Sequence, residues 1–331
     1  MGECRSLWFA SSRSVEIRSA AWTPPEPGEV SIRTLFSGIS GGTEMLAYRG
    51  ELDADMAVDE TLGSLGGTFR YPFRYGYSSV GTVEQSRSDI AEGALVFAFQ
   101  PHQDVFVADA ADVVVLGSVD PRLATMFPLV ETALQISLDA GPVSGETVAV
   151  FGLGAVGLLT TLMLRRAGAR VLAVDVAPWR REAAIALGIE SYAPDELVDR
   201  VESEGNPARI PVAIEVSGNP DALRTALGLL THEGLALVAS WYGTKEVSLP
   251  LGADFHRRRL TIRSTQVSTI PARLSARWTP ERRRRTVVDL LDDLPLDPLA
   301  THTFPFDDAG DAYAAIDAGI AGLIHVALGY R

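Results

Sequence analysis

The chain has 331 residues, 47% of them hydrophobic, which is enough for about two domains with substantial cores. A formal net charge of −13 leaves no positive field to neutralise phosphates, so no nucleic-acid partner is expected. The single cysteine, Cys4, excludes an intrachain disulfide and a cage of cysteines around zinc.

Met1 to Ser14 has no apolar run long enough for a signal peptide, and a cytoplasmic protein is expected. The first part of the chain reads as β-rich: Val30 to Phe36, Ser79 to Gln85, Ala94 to Phe99 and Asp104 to Ala108 are short apolar or alternating runs separated by Gly, Pro and Asp. Helical patterning starts near Pro121 and leads through Leu123 to Phe127 into Leu134-Gln135-Ile136. From Thr147 onward strands and helices alternate, with Val212 to Val216, Leu235 to Ser240 and Leu260 to Ser264 as the later strands. That pattern predicts an α/β fold with a doubly wound parallel sheet. A helix over Glu281 to Leu291, a proline-rich turn, a helix over Asp307 to Ala318 and a strand over Leu323 to Leu328 close the chain. Val148 to Leu164 is uncharged and as long as a short membrane span, but its glycine spacing reads as a buried strand and helix, so no membrane partner is expected.

That spacing is Gly152-Leu153-Gly154-Ala155-Val156-Gly157, preceded by the apolar run Thr147 to Phe151. The helix-like stretch Leu158 to Ala167 follows, and then a second strand, Arg170 to Val174, ending on Asp175. A strand, a glycine turn, a helix and an acidic residue about 20 positions on together form a dinucleotide-binding fingerprint. Gly152 permits the tight turn, Gly154 lets the backbone approach a pyrophosphate, and Gly157 lets helix and strand pack closely. Ala155 and Val156 open the helix whose N-terminus receives the phosphate. Asp175 can accept from both ribose hydroxyls and repels a 2′-phosphate, which favours NAD(H) over NADP(H). Arg180 and Arg181, just downstream, keep NADP(H) open.

This order of parts resembles the medium-chain dehydrogenase/reductase family, the relatives of zinc alcohol dehydrogenases, over essentially the whole chain. Besides the fingerprint, the resemblance rests on Ser37-Gly38-Ile39-Ser40, on Tyr75 to Gly81, on Phe127-Pro128-Leu129 and on Glu215-Val216-Ser217-Gly218. Further likeness runs to a bacterial branch that includes bacteriochlorophyllide a dehydrogenase. It is carried by Ser37 to Glu44, Pro101-His102-Gln103, Glu131-Thr132-Ala133, Ser240-Trp241-Tyr242-Gly243 and Phe255 to Leu260. The family implies a GroES-like catalytic domain over 1–118, a Rossmann domain over 119–270 and a return of 271–331 to the first. It also implies a substrate cleft between the two and a homodimer through edge strands, here Leu260 to Val267.

The departures from the family concern metal. Where zinc-binding members have a Cys-Gly-x-Cys motif, this chain has Ser37-Gly38-Ile39-Ser40; where they have Gly-His-Glu, it has Gly76-Tyr77-Ser78; and Phe127 stands at the third ligand position. Hydroxyl and phenyl groups do not replace thiolate, imidazole and carboxylate, so no catalytic zinc is expected.

Hydride transfer to a carbonyl builds negative charge on oxygen, and without zinc a side chain must meet it. Candidates are Tyr77, against the bland reading of an aromatic filling the vacated site, and His102, against a hydrogen-bonded loop histidine. Glu131 is a third, against an ion pair within a helix. Thr43 and Glu44 are further candidates, against a turn hydroxyl and a carboxylate holding the loop. Ser217, Ser240 and Trp241 are expected to line the cofactor, and Ser40, Phe127, Trp241, Tyr242 and His256 the substrate. The run Arg257-Arg258-Arg259 beside His256 reads more simply as a solvated or dimer-facing charge run, and Arg282 to Arg285 on a predicted helix as a solvated face or a lattice of salt bridges. These residues point to a zinc-independent NAD(H)-dependent oxidoreductase that interconverts an alcohol and a ketone or aldehyde. The alternatives are NAD(P)H-dependent reduction of an activated C=C bond and a non-catalytic NAD(H)-binding regulator.

Overall fold

The structure is a computed structural model that describes residues 2–204 and 210–331. It divides into two compact units, Met1–Pro128 with Thr279–Arg331, and Leu129–Trp278. The sequence placed these boundaries near 118 and 270. The first unit keeps the segment after 118 because Ser78 Oγ donates to the Thr125 carbonyl at 2.6 Å and the Arg122 guanidinium donates to the Ala300 carbonyl at 2.8 Å.

The first unit opens with an antiparallel hairpin, β1 (Gly2–Ser11) and β2 (Ser14–Trp22). Leu7 and Phe9 of β1 are fully buried, whereas β2 alternates weakly and carries Glu16 and Arg18, which is why the sequence pattern did not reveal this hairpin. There follow β3 (Glu29–Ile39), α1 (Thr43–Arg49), β4 (Ser79–Ser86), β5 (Leu95–Ala98), β6 (Val105–Asp109), β7 (Val113–Val115) and the short α2 (Pro121–Ala124).

α3 (Phe127–Ala140) carries the chain into the second unit. There β8 (Thr147–Phe151), α4 (Ala155–Arg166), β9 (Arg170–Val174), α5 (Pro178–Ala186), β10 (Ser191–Tyr192), α6 (Pro194–Glu204), β11 (Ile210–Glu215), α7 (Pro220–Leu229), β12 (Leu230–Val238) and β13 (Thr261–Ser264) alternate. The six strands form one parallel sheet in the order β10-β9-β8-β11-β12-β13. Numbered within the unit this is 3-2-1-4-5-6, the Rossmann order, whose crevice lies where the order reverses, between β8 and β11. Alternate residues of β8 serve two cores, Ala149 and Phe151 on one face, Val148 and Val150 on the other. A sheet covered on both faces requires such an uninterrupted apolar run.

The chain then returns to the first unit with α8 (Pro280–Asp293), β14 (His302–Pro305), α9 (Ala309–Asp317) and β15 (Val326–Gly329). β15 pairs antiparallel with β3, so both ends of the chain build one sheet, β14-β15-β3-β4-β5-β7, with β6 added on β3. This is the GroES-like arrangement, and the second unit is a Rossmann fold. Among the described residues no helix is long and apolar enough to cross a membrane.

One buried histidine makes this fold sensitive to acid. His325, at the start of the last pairing, is 3% exposed, and its Nε2 lies 2.9 Å from Thr125 Oγ1. The Thr125 hydroxyl donates to the Arg122 carbonyl, so the histidine is the donor in the first bond, and its Nδ1 has no hydrogen-bond partner. Burial first, and then the charge of Arg122, push the imidazole down from 6.5 to about 4. The unfolded chain therefore takes up this proton at a higher pH than the folded one. The stabilisation is complete above about pH 6.5 and is lost as pH falls towards 4, on the order of 3 kcal/mol in total. Urea unfolding of the parent and of His325→Gln at pH 7 and pH 4 should show a distinctly smaller acid loss in the variant. Equal losses would contradict this account.

Candidate functional site

In the first unit the end of β3 and the start of α1 bring Ser40 and Thr43 beside Tyr77. Glu44, in the first turn of α1, has no solvent exposure. Its Oε1 accepts the Ser40 backbone N–H at 2.8 Å, and its Oε2 lies 2.9 Å from His102 Nε2 and also accepts the Tyr313 hydroxyl. His102 Nδ1 lies 2.7 Å from Ser37 Oγ, which is 2.9 Å from the Tyr330 hydroxyl. A tautomer with hydrogen on Nε2 satisfies every member: Tyr330 donates to Ser37, Ser37 to Nδ1, and Nε2 to the carboxylate. The imidazole fits only because residue 76 is glycine. Gly76 has φ +102°, and a Cβ there would stand 2.5 Å from the His102 ring.

Tyr77, the residue that follows, is partly buried, and its phenol is pushed up to about 12. Burial is the main cause and the charge of Glu44 the next, while hydrogen bonds from the Ser40 and Thr43 hydroxyls pull the other way. The hydroxyls of Ser40, Thr43 and Tyr77 thus gather next to the buried carboxylate. Phe127, which the sequence placed on a substrate pocket, is instead fully buried and stacked on Phe97 with ring centroids 4.2 Å apart. It presents no surface to a ligand.

In the second unit the glycine turn is built as the fingerprint requires. A Cβ on Gly152 would lie 2.7 Å from the Ser217 backbone, and one on Gly157 would lie 1.9 Å from the Gly152 carbonyl. A Cβ on Gly154, by contrast, would meet nothing within 4 Å, which leaves the cradle where a pyrophosphate approaches. No side chain caps the α4 N-terminus at Gly154, and Ala155 and Val156 stay partly exposed there. Asp175 accepts the backbone N–H of Leu153 at 2.7 Å and of Ala177 at 2.8 Å, and Arg180 approaches it to 3.6 Å.

At the neighbouring strand end, Glu215 gathers Ser217, Gly218 and Tyr242. Its Oε1 accepts from the Ser217 backbone and hydroxyl and from the Gly218 N–H, and its Oε2 accepts the Tyr242 hydroxyl at 2.8 Å. Ser240 Oγ accepts the Gly218 N–H at 2.7 Å. Burial and Glu215 raise the Tyr242 phenol. Trp241 is 39% exposed, and Glu131 is buried on α3. His256 is exposed, but the basic run beside it is engaged within its own unit: Arg258 pairs with Asp254 and Arg259 with Glu233.

A family profile described as zinc-binding dehydrogenase matches residues 155–280. An L-threonine 3-dehydrogenase of Saccharopolyspora erythraea is 28% identical over 233 residues, covering 69% of this chain but 62% of that protein. The 2R,3R-butanediol dehydrogenase of Bacillus subtilis superposes with a TM-score of 0.80 at 20% identity, covering 99% of this chain and 100% of the other. An alcohol dehydrogenase of Escherichia coli CFT073, solved with NADH, gives 0.79 at 17% identity with 99% of both chains covered. The chain is thus similar to the alcohol dehydrogenase-like medium-chain dehydrogenases/reductases, in fold over nearly its whole length and in sequence over part of it.

The zinc that the family name implies does not fit these residues. Ser37 Oγ is committed to His102 and Tyr330, Ser40 and Tyr77 offer neutral hydroxyls, and Phe127 offers hydrocarbon. Among the described residues no three His, Cys, Asp or Glu side chains are grouped to hold a metal. Sequence reasoning did not find Ser37, Tyr313, Tyr330 or Glu215 as members of these networks. Glu215 carried a signal, as an acidic residue closing an apolar strand that must bury it. Tyr313 and Tyr330 lie some 270 to 290 residues from their partners and carried none.

Proposed function

We propose that the chain is a zinc-independent, nicotinamide-dependent oxidoreductase that interconverts an alcohol and a ketone or aldehyde. The observation that carries this reading is the cluster of Ser40, Thr43 and Tyr77 hydroxyls against buried Glu44, with Ser40 and Tyr77 at the motif positions where zinc-binding relatives hold metal, on a chain that also builds the dinucleotide turn. A nicotinamide dinucleotide bound at that turn supplies or takes the hydride. The chain's own residues must then bind the substrate, orient it and meet the charge that grows on its oxygen.

Tyr77 suits that last task. A phenol pushed up to about 12 keeps its proton throughout the neutral range, so it acts as a hydrogen-bond and proton donor to a forming alkoxide rather than as a base. His102 and Glu44 have no exposure and touch no substrate as placed. Their part is to hold the Ser40 backbone and to keep a negative charge behind Tyr77. A homodimer through the free edge of the second sheet, β13, belongs to the same reading.

NAD(H) is preferred because Asp175 stands at the end of β9, where a carboxylate can accept from ribose hydroxyls and repel a 2′-phosphate. Calorimetry should find NADH bound more tightly than NADPH. Asp175→Ala should narrow the ratio by about tenfold, because it removes the repulsion and leaves Arg180 free for a phosphate. Tighter NADPH binding to the parent chain would reject the preference.

The proton-donor role is tested by Tyr77→Phe, which keeps the ring and removes only the hydroxyl. On a carbonyl substrate found by an NADH-oxidation screen, single-turnover hydride transfer should fall by about 10²- to 10⁴-fold. Affinity for NADH should hardly change, since the glycine turn belongs to the other unit. A near-normal rate in the variant would remove Tyr77 from the mechanism. An enone turned over in preference to every ketone and aldehyde would shift the chemistry to C=C reduction.

A further inference from the structure

Of the four arginines on α8, Arg282 and Arg285 are exposed, whereas Arg283 and Arg284 turn inward. Arg283 is only 3% exposed, and the Arg284 guanidinium lies over the Phe99 ring, 5.2 Å from its centroid. Among the described residues Arg284 forms no ion pair, and its Nε is shielded from solvent with no hydrogen-bond partner. An unpaired buried donor costs about 1–3 kcal/mol, and here the protein's own groups do not recover it.

Arg284 borders a cavity of about 140 Å³ in the first unit, walled also by Thr61, Ser64, Phe99, Gln100 and Asp112. Ser64 Oγ donates to the Phe99 carbonyl at 2.5 Å, which ties the loop of the wall to the strand end beneath the guanidinium. A volume of this size takes one functional group, because sites for whole drug-sized ligands run to roughly 300–1,000 Å³. The ring occupies one face of the guanidinium, and with Nε shielded it is the terminal Nη donors, in the plane of the group, that suit carboxylate and phosphate oxygens. Asp112 is the one acidic residue of this wall, but it is exposed and forms no ion pair with Arg284, so water screens its repulsion.

We propose that this cavity is an anion subsite that seats a carboxylate or phosphate substituent of the substrate against Arg284. Assigning the anion to a substrate rests on the oxidoreductase reading; the subsite itself does not.

Calorimetric titration of the purified chain with inorganic phosphate tests the subsite without turnover. The parent should bind saturably and Arg284→Met at least about tenfold more weakly. Arg284→Lys should fall between them, and Asp112→Asn should bind somewhat more tightly than the parent. Equal affinity in the parent and Arg284→Met overturns the subsite. If Arg284→Met does not fold, Arg284→Lys carries the comparison, and affinity equal to the parent's overturns it in the same way. A competition experiment separates the two sources of the anion. Phosphate should raise the KM for carbonyl substrates that bear a carboxylate or phosphate and leave that for neutral ones unchanged. Binding that depends on Arg284 without any such competition overturns the assignment to substrate. Binding that depends on Arg284 in a chain that turns over no carbonyl supports the subsite while refuting the oxidoreductase reading.

Discussion

A carboxylate without solvent exposure must be given donors from several directions, and the way Glu44 receives them organises the first unit. Its partners come from the end of β3, from the connection holding His102 and from α9, so one side chain joins segments from both ends of the chain. Removing one member of such a network leaves the others buried without partners, which costs far more than the network adds over an apolar core. Burial first, and then the same charge, raise the Tyr77 phenol. The constraint that fixes the fold here therefore also acts on Tyr77, the residue proposed as proton donor.

The second unit is organised by close approach rather than by charge. Gly152 and Gly157 have no room for a side chain, and only Gly154 opens onto free space. Two buried carboxylates, Asp175 and Glu215, hold the loops on either side of this turn by accepting their backbone N–H groups. Both are thereby part of the scaffold, and in the proposed reading Asp175 shares its oxygens between the turn and a ribose.

What the sequence revealed follows the range of the interactions. β8 and β9 were legible to the residue, because each is a short apolar run bounded by glycine or charge and buried on both faces. The glycine turn was legible because its spacing is local. The hairpin of β1 and β2 was not, because β2 offers only Val15 and Ile17, both partly buried, on one face against Glu16 and Arg18 on the other, too weak an alternation to mark a strand. In the candidate site, Tyr77, Thr43, Glu44 and His102 could be singled out from motif positions. That His102 and Glu44 bond each other, and that Ser37 and Tyr330 complete the chain of hydroxyls, depends on contacts across 58 to 293 positions. Phe127 was misplaced for a similar reason: its motif position suggests a cleft, while its stacking partner Phe97 lies on β5, outside its own helix. Arg284 was hidden in a run of like charges, and only the ring beneath it distinguishes it from its neighbours.

The central claim is that hydroxyls held by a buried carboxylate have taken over the task of a metal. Metal analysis of the purified protein, paired with single-turnover hydride transfer before and after exhaustive chelation, tests it most directly. The account predicts far less than one zinc per chain and an unchanged rate. About one zinc per chain, with hydride transfer lost on chelation and restored by zinc, would contradict it.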